Sequence, residues 1–243
     1  MMAETGGGRL LWADEFLAAA GTPPDARWWS FETGDHGWGN GEQQRYTDER
    51  ANAAHDGEGN LVIRAIREKG GYTSARLVTK HNVEFCYGRL ESRMLLPKGA
   101  GVWPALWLLG SNIDGAPWPA CGEIDVMENV GAEPRRVFGT VHCPGFSGSD
   151  GISGGHCAAA DLGDDYRVFA VDWTPERIGW SLDGREYFAV TARDLGAAWV
   201  FDHPFYILLN LAVGGWLGGA VGSDTRFPAE LKVDFIRIYE SSD

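Results

Sequence analysis

The sequence predicts an all-β protein, a β-jelly-roll sandwich of two antiparallel sheets with a concave substrate cleft. Three observations carry that expectation. Apolar residues recur with a period of two almost throughout, the chain holds 34 Gly and 11 Pro, and no segment shows a long helical stripe. Many short strands joined by frequent turns bury their apolar sides best as two packed sheets. The 243 residues, 44% hydrophobic and 23% charged, supply enough material for one sizeable core. No internal repeat and no linker-like tract divides the chain, so residues 1–243 read as a single domain.

Taken in order, the first strand is expected near Leu10. The run Leu17-Ala18-Ala19-Ala20 is not a helix, because Gly21 and Pro23-Pro24 break it at once. Residues 61–67, 75–80 and 87–94 alternate as half-buried strands, and 166–173, 177–182 and 231–239 do the same. Asp183-Gly184, between two such runs, is a hairpin turn signal. The Gly-rich stretch 145–155 reads as a surface loop. The strands near Leu10 and Tyr239 both need edge partners, so the two ends of the fold are expected side by side.

A net charge of −13 and a pI near 4.8 argue against nucleic acid or an anionic membrane as partner. The same repulsion disfavours a sulfated glycan, leaving a neutral polymer as the better fit. No apolar run approaches the ~20 residues of a membrane span. Eleven tryptophans exceed the needs of one core, and exposed indole faces hold sugar rings well. Met1-Met2-Ala3-Glu4-Thr5 lacks the basic and apolar regions of a signal peptide, so a mature domain with a start Met is expected. Four cysteines allow three full pairings. Cys143 and Cys157 bracket the Gly/Ser-rich stretch, where a disulfide would restrain a poorly packed segment. That bridge is expected ahead of free thiols, and ahead of zinc held with His142 and His156, whose spacing matches no standard zinc pattern. A disulfide implies an oxidising, extracellular setting, so the protein is expected to be secreted.

The candidate chemistry lies in Glu123-Ile124-Asp125-Val126-Met127-Glu128. In a regular strand Glu123 and Asp125 share a face while Glu128 points away. A one-residue bulge at Val126-Met127 restores the phase and brings Glu128 back beside the other two. Two glutamates aimed into one cleft, with an aspartate between them, are the equipment for cleaving a glycosidic bond. Clustered negative charge raises the pKa of at least one member and keeps an acid protonated. The competing reading is an edge strand carrying solvated acids.

Context favours the chemistry. Trp-Pro-Ala-Leu-Trp at 103–107, Gly-Glu-Ile-Asp-Val-Met-Glu-Asn at 122–129, Gly-Thr-Val-His at 139–142 and Val-Asp-Trp-Thr-Pro at 171–175 stand in one order along the chain. Asn-Leu-Ala-Val-Gly-Gly at 210–215 and Val-Asp-Phe-Ile-Arg-Ile-Tyr at 233–239 follow. In this order they resemble glycoside hydrolase family 16, and within it the laminarinase-like endo-β-1,3-glucanases. The resemblance implies a retaining endo-hydrolase of laminarin- or curdlan-type β-1,3-glucan. It makes Glu123 the nucleophile, Glu128 the acid/base and Asp125 the residue that tunes Glu123. Met127 matches the bulged branch of the family, which argues against a strict lichenase. Two alternatives stay open: a non-catalytic β-glucan-binding module, and a galactan hydrolase of agarose type on the same fold.

Trp103, Trp107 and Trp118 are the expected sugar platforms. Core packing competes for Trp107, and Pro104 is expected to limit strand pairing beside Trp103. Trp173 and Trp180 are assigned to the core. By the resemblance, His142 hydrogen-bonds substrate or orients a carboxylate, and Asn40 and Arg76 contact sugar on the non-reducing side. The family's Asn-Glu-Leu-Gln-Tyr-Tyr stretch appears here as Gly41-Glu42-Gln43-Gln44-Arg45-Tyr46, which leaves the contacts of that loop open. Many relatives bind one structural Ca²⁺ away from the cleft, and the matching positions are Glu15, the Gly57 carbonyl and Asp234. No cofactor is expected for the chemistry itself, and the protein is expected to act as a monomer.

Overall fold

A computed structural model describes residues 8–241. The opening Met1-Met2-Ala3-Glu4-Thr5, read above for export signals, lies outside the described residues. Two sheets face each other across one large apolar core. The inner sheet runs, in spatial order, Ile152–Cys157, Arg136–His142, Glu123–Glu128, Val102–Gly110, Phe205–Val213, Arg76–Val78 and Ser30–Phe31, with Glu84–Phe85 beside Phe205–Val213. The outer sheet runs Arg185–Thr191, Arg177–Leu182, Arg167–Trp173, Gly88–Leu95, Ala229–Tyr239, Leu61–Glu68, Gly71–Ser74 and Gln44–Tyr46. Pairing is antiparallel except between Gln44–Tyr46 and Gly71–Ser74. The helical segments among the described residues are single turns of three or four residues.

Alternation along each strand builds the sandwich. In Val102–Gly110, Val102, Leu106 and Leu108 enter the core, while Trp103, Ala105, Trp107 and Leu109 line the opposite face. Trp173, Trp180, Phe169, Phe201 and Phe205 fill the centre and are fully buried, as assigned for the two tryptophans. Asp183 (φ 50°) and Gly184 (φ 75°) both take left-handed conformations between Arg177–Leu182 and Arg185–Thr191, the backbone of a type I′ hairpin. Leu10–Asp14 pairs with Ala229–Tyr239, so the two ends of the fold meet on the outer sheet.

Two expectations require correction. Residues 145–155 are not loop throughout: Ile152–Cys157 is a strand on the edge of the inner sheet. Its Gly and Ser residues lack an apolar alternation, but an edge strand pairs through its backbone. Gly154 is needed there, because a Cβ would lie 2.2 Å from the Phe188 ring. The same strand rules out the Cys143–Cys157 disulfide. Its register with Arg136–His142 sets Cys157 opposite Arg136 and Ile152 opposite Val141, which sends the two cysteines to opposite ends of the hairpin. At ~3.3 Å per residue they stand roughly 20 Å apart, far beyond the ~7 Å Cα limit of a disulfide. All four cysteines are free thiols.

Of the positions matched to calcium, Glu15 and Asp234 lie at one break in the outer sheet. Asp234 is the bulged residue of Ala229–Tyr239, between Val233, which pairs with Leu61, and Ile236, which pairs with Asp14. Glu15 follows Asp14, and Gly57 sits in the turn before Leu61–Glu68. The Glu15 carboxylate accepts two hydrogen bonds from Arg237 (2.7 and 2.8 Å), and Asp234 accepts one from Arg93 at 2.5 Å. Both Glu15 oxygens are thus engaged, while Asp234 Oδ1 stays outside the bond to Arg93 and is a hard donor of the kind Ca²⁺ takes.

Candidate active site

The strand Glu123–Glu128 lies inside its sheet, between Val102–Gly110 and Arg136–His142, so the solvated-edge reading is excluded. Its bulge is where the misplaced phase of Glu128 predicts it. Asp125 pairs with Trp107 and Met127 with Leu106, so two steps on one strand answer one on the other. Against the other neighbour, Asp125 pairs with Thr140 and Glu128 with Phe138. Val126 and Met127 both turn into the core with Ile124. Glu123, Asp125 and Glu128 then share the opposite face.

That face floors a cleft of about 790 Å³. Trp103, Trp107 and Trp118 all line it, together with His142, Asn40 and Arg76. Trp103 donates its indole N–H to Glu128 Oε1 at 3.0 Å and is only 6% exposed. The expected reason for its placement was wrong in part. Pro104 pairs with Leu211 inside a central strand, where its carbonyl accepts from the Asn129 N–H, so pairing is not interrupted. Trp107 is half-buried and in the cleft rather than the core, with its N–H on Asn210 Oδ1 at 2.8 Å. Trp118 is 44% exposed, 5.9 Å from the His142 ring. His142 Nε2 lies 3.2 Å from Asp125 Oδ2 and 3.8 Å from Glu123 Oε1, in position to orient both carboxylates.

At the other end of the cleft, the Arg76 guanidinium is sandwiched between the rings of Trp38 (4.5 Å) and Trp107 (4.8 Å) and bonded to Glu32 at 2.5 Å. Asn40 donates to Glu42 Oε1 and accepts from the Trp216 indole. The altered stretch 41–46 is well filled. The buried Glu42 carboxylate also accepts from Gln44 Nε2 (2.7 Å) and the Tyr46 hydroxyl (3.0 Å), and Asn210 links Tyr46 to Trp107. Trp38, Glu42 and Trp216 are cleft residues that sequence reasoning missed. Trp38 adopts φ 52°, which no pattern announces, and Trp216 stands one residue beyond the Gly214-Gly215 landmark, 58% exposed. The proximity of both to quoted motifs was the available signal.

Burial dominates the electrostatics. Desolvation and then the neighbouring Asp125 push the Glu123 carboxyl well above its ordinary range, with His142 and Trp118 pulling the other way. Desolvation raises Asp125 to about 7. It raises Glu128 to about 8, with Asp125 adding to the shift and Trp103 opposing it. Three buried acids on one face raise one another's pKa and do not all ionise near neutrality, so the cluster holds protons there. Double-displacement cleavage of an acetal needs one protonated and one ionised carboxyl facing the same space, and the shared face supplies the pair of glutamates for it.

A family model described as glycosyl hydrolases family 16 matches residues 40–237. A β-glucanase of Rhodothermus marinus is 42% identical, covering 95% of this chain and 84% of that protein. A glucan endo-1,3-β-glucosidase A1 of Niallia circulans is 36% identical over 96% of this chain, which spans only 38% of that longer protein. Among solved structures, the laminarinase catalytic domain of Thermotoga maritima superposes with a TM-score of 0.91 at 40% identity, covering 97% of this chain and 99% of that one.

Proposed function

The chain belongs to glycosyl hydrolases family 16, and from that premise we propose that it is a retaining endo-β-1,3-glucanase acting on laminarin- or curdlan-type glucan. The observation that carries the reading is the bulged strand, which turns Glu123, Asp125 and Glu128 to one side under an indole-lined cleft. Glu123 attacks the anomeric carbon while Glu128 gives its proton to the departing glycosidic oxygen. Water, deprotonated by the Glu128 carboxylate, then displaces Glu123 from the glycosyl-enzyme. Asp125, with His142 Nε2 3.2 Å from its Oδ2, shares the cluster's proton and steers Glu123. The aromatic walls supply stacking to an uncharged polymer, in keeping with a net charge of −13. The cleft is complete within one chain, which supports a monomer built as one catalytic domain. A polymeric substrate too large to cross a membrane supports action outside the cell.

The test is hydrolysis of laminarin, curdlan, lichenan and agarose, with NMR of the first-formed anomer. We expect reducing ends from laminarin and curdlan with β-configuration at first release. Inverted product, or agarose as the preferred polymer, would overturn the reading, and binding without cleavage would mark a recognition module.

Glu15, the Gly57 carbonyl and Asp234 make up the proposed Ca²⁺ site. A cation there does no chemistry and ties the ends of the fold together. Ca²⁺ at about 100 times its Kd is worth about 2.7 kcal/mol. For a protein of this size that is roughly a 5–10 °C rise in Tm over the chelator-treated protein, with kcat unchanged. An identical Tm with Ca²⁺ and with chelator would remove calcium from the proposal.

A further inference from the structure

A bulge takes backbone groups out of the regular ladder, and each buried one needs another partner. At Asp125, the residue on which the bulge begins, the carbonyl oxygen accepts a hydrogen bond from the indole N–H of Trp180 at 2.7 Å. Trp180 belongs to Arg177–Leu182 of the outer sheet, is fully buried, and reaches through the core to make this contact. Its route is cleared by sequence. A Cβ on Gly139, on the strand paired with Glu123–Glu128, would lie 2.3 Å from Trp180 Cδ1. Phe188 backs the indole at a ring distance of 4.9 Å, and Gly154 in turn leaves room for Phe188.

We infer that Trp180 is a positioning residue, which pins the Asp125 carbonyl and so fixes where the bulge returns Glu128 to the cleft. The inference rests on the hydrolase reading above for its kinetic consequence, but not for its structural one. Trp173 provides an internal control. It is equally buried in the same core, and its N–H bonds the Phe201 carbonyl rather than the acidic strand.

The experiment compares Trp180→Phe with Trp173→Phe, each keeping an aromatic ring, losing one indole donor and opening a cavity of similar size. For Trp180→Phe we expect kcat on laminarin to fall roughly 10- to 100-fold at unchanged KM, the scale of a displacement near 1 Å. The basic limb of its pH profile is expected to move as well. Trp173→Phe is expected to lower Tm comparably and keep kcat within about twofold. Hydrogen exchange of the amides of residues 125–128 is expected to quicken in Trp180→Phe alone. Wild-type kcat and pH profile in Trp180→Phe, or equal losses in both variants, would overturn the assignment. If the wild type cleaves no glucan, the hydrolase reading falls, and the exchange measurement still decides whether Trp180 holds the bulge.

Discussion

Glu128→Gln loses roughly 10²–10⁴-fold in kcat/KM on laminarin, the usual worth of a positioned general acid. The loss is selective. A substrate whose leaving group is an acidic phenol needs little protonation, so its glycosylation step is expected to survive far better than that of the polysaccharide. The basic limb of the wild-type profile, expected near the Glu128 pKa of about 8, disappears in the variant. Stability moves in the opposite direction to activity. A carboxyl whose folded pKa is raised binds more protons in the native state than in the unfolded one. Native stability is therefore lost as pH climbs from the ordinary glutamate range through about 8. A neutral Gln escapes that loss. The variant is expected to exceed wild type by about 1 kcal/mol or more at pH 8, a gain of roughly 2–4 °C in Tm, with the gap closing by about pH 4.5. Equal melting of the two proteins across this range, or laminarin turnover near wild type, would remove Glu128 from the acid/base role.

Glu123→Gln is expected to be the more severe change, costing roughly 10⁴-fold or more, since no glycosyl-enzyme forms without its nucleophile. Here leaving-group acidity gives no relief, so aryl glucosides and laminarin lose activity together. That contrast separates the two glutamates without assuming which is which. Circular dichroism and melting are expected to show the fold intact, because Glu123 projects into the cleft and none of the core packing depends on it. Retention of more than a tenth of wild-type activity would exclude Glu123 as nucleophile.

Much of this was legible because two-residue periodicity reports directly on a half-buried strand. The runs 61–67 and 177–182 became strands with nearly those limits, Leu61–Glu68 and Arg177–Leu182. The bulge was legible for the same reason: Glu128 is out of phase with Glu123 and Asp125, and one extra residue is the simplest repair. Where side chains carry no pattern the reading ran out. Ile152–Cys157 pairs through its backbone, and with that strand unseen Cys143 and Cys157 looked like neighbours. Pro104 suggested a pairing limit but sits where its carbonyl, not an N–H, meets Asn129. Trp38 and Trp216 could not be told from core tryptophans by type. Composition gives their number, and only the tertiary arrangement says which indoles face the cleft.

Leu10–Asp14 and Ala229–Tyr239 run side by side on the sheet that does not carry the cleft, with Arg9 and Glu240 closing the pair at 2.6 Å. Arg9 and Glu240 therefore leave the fold together, on the sheet away from the cleft. A tether to a bead, a cell wall or a neighbouring module would leave the groove free to thread a long polymer.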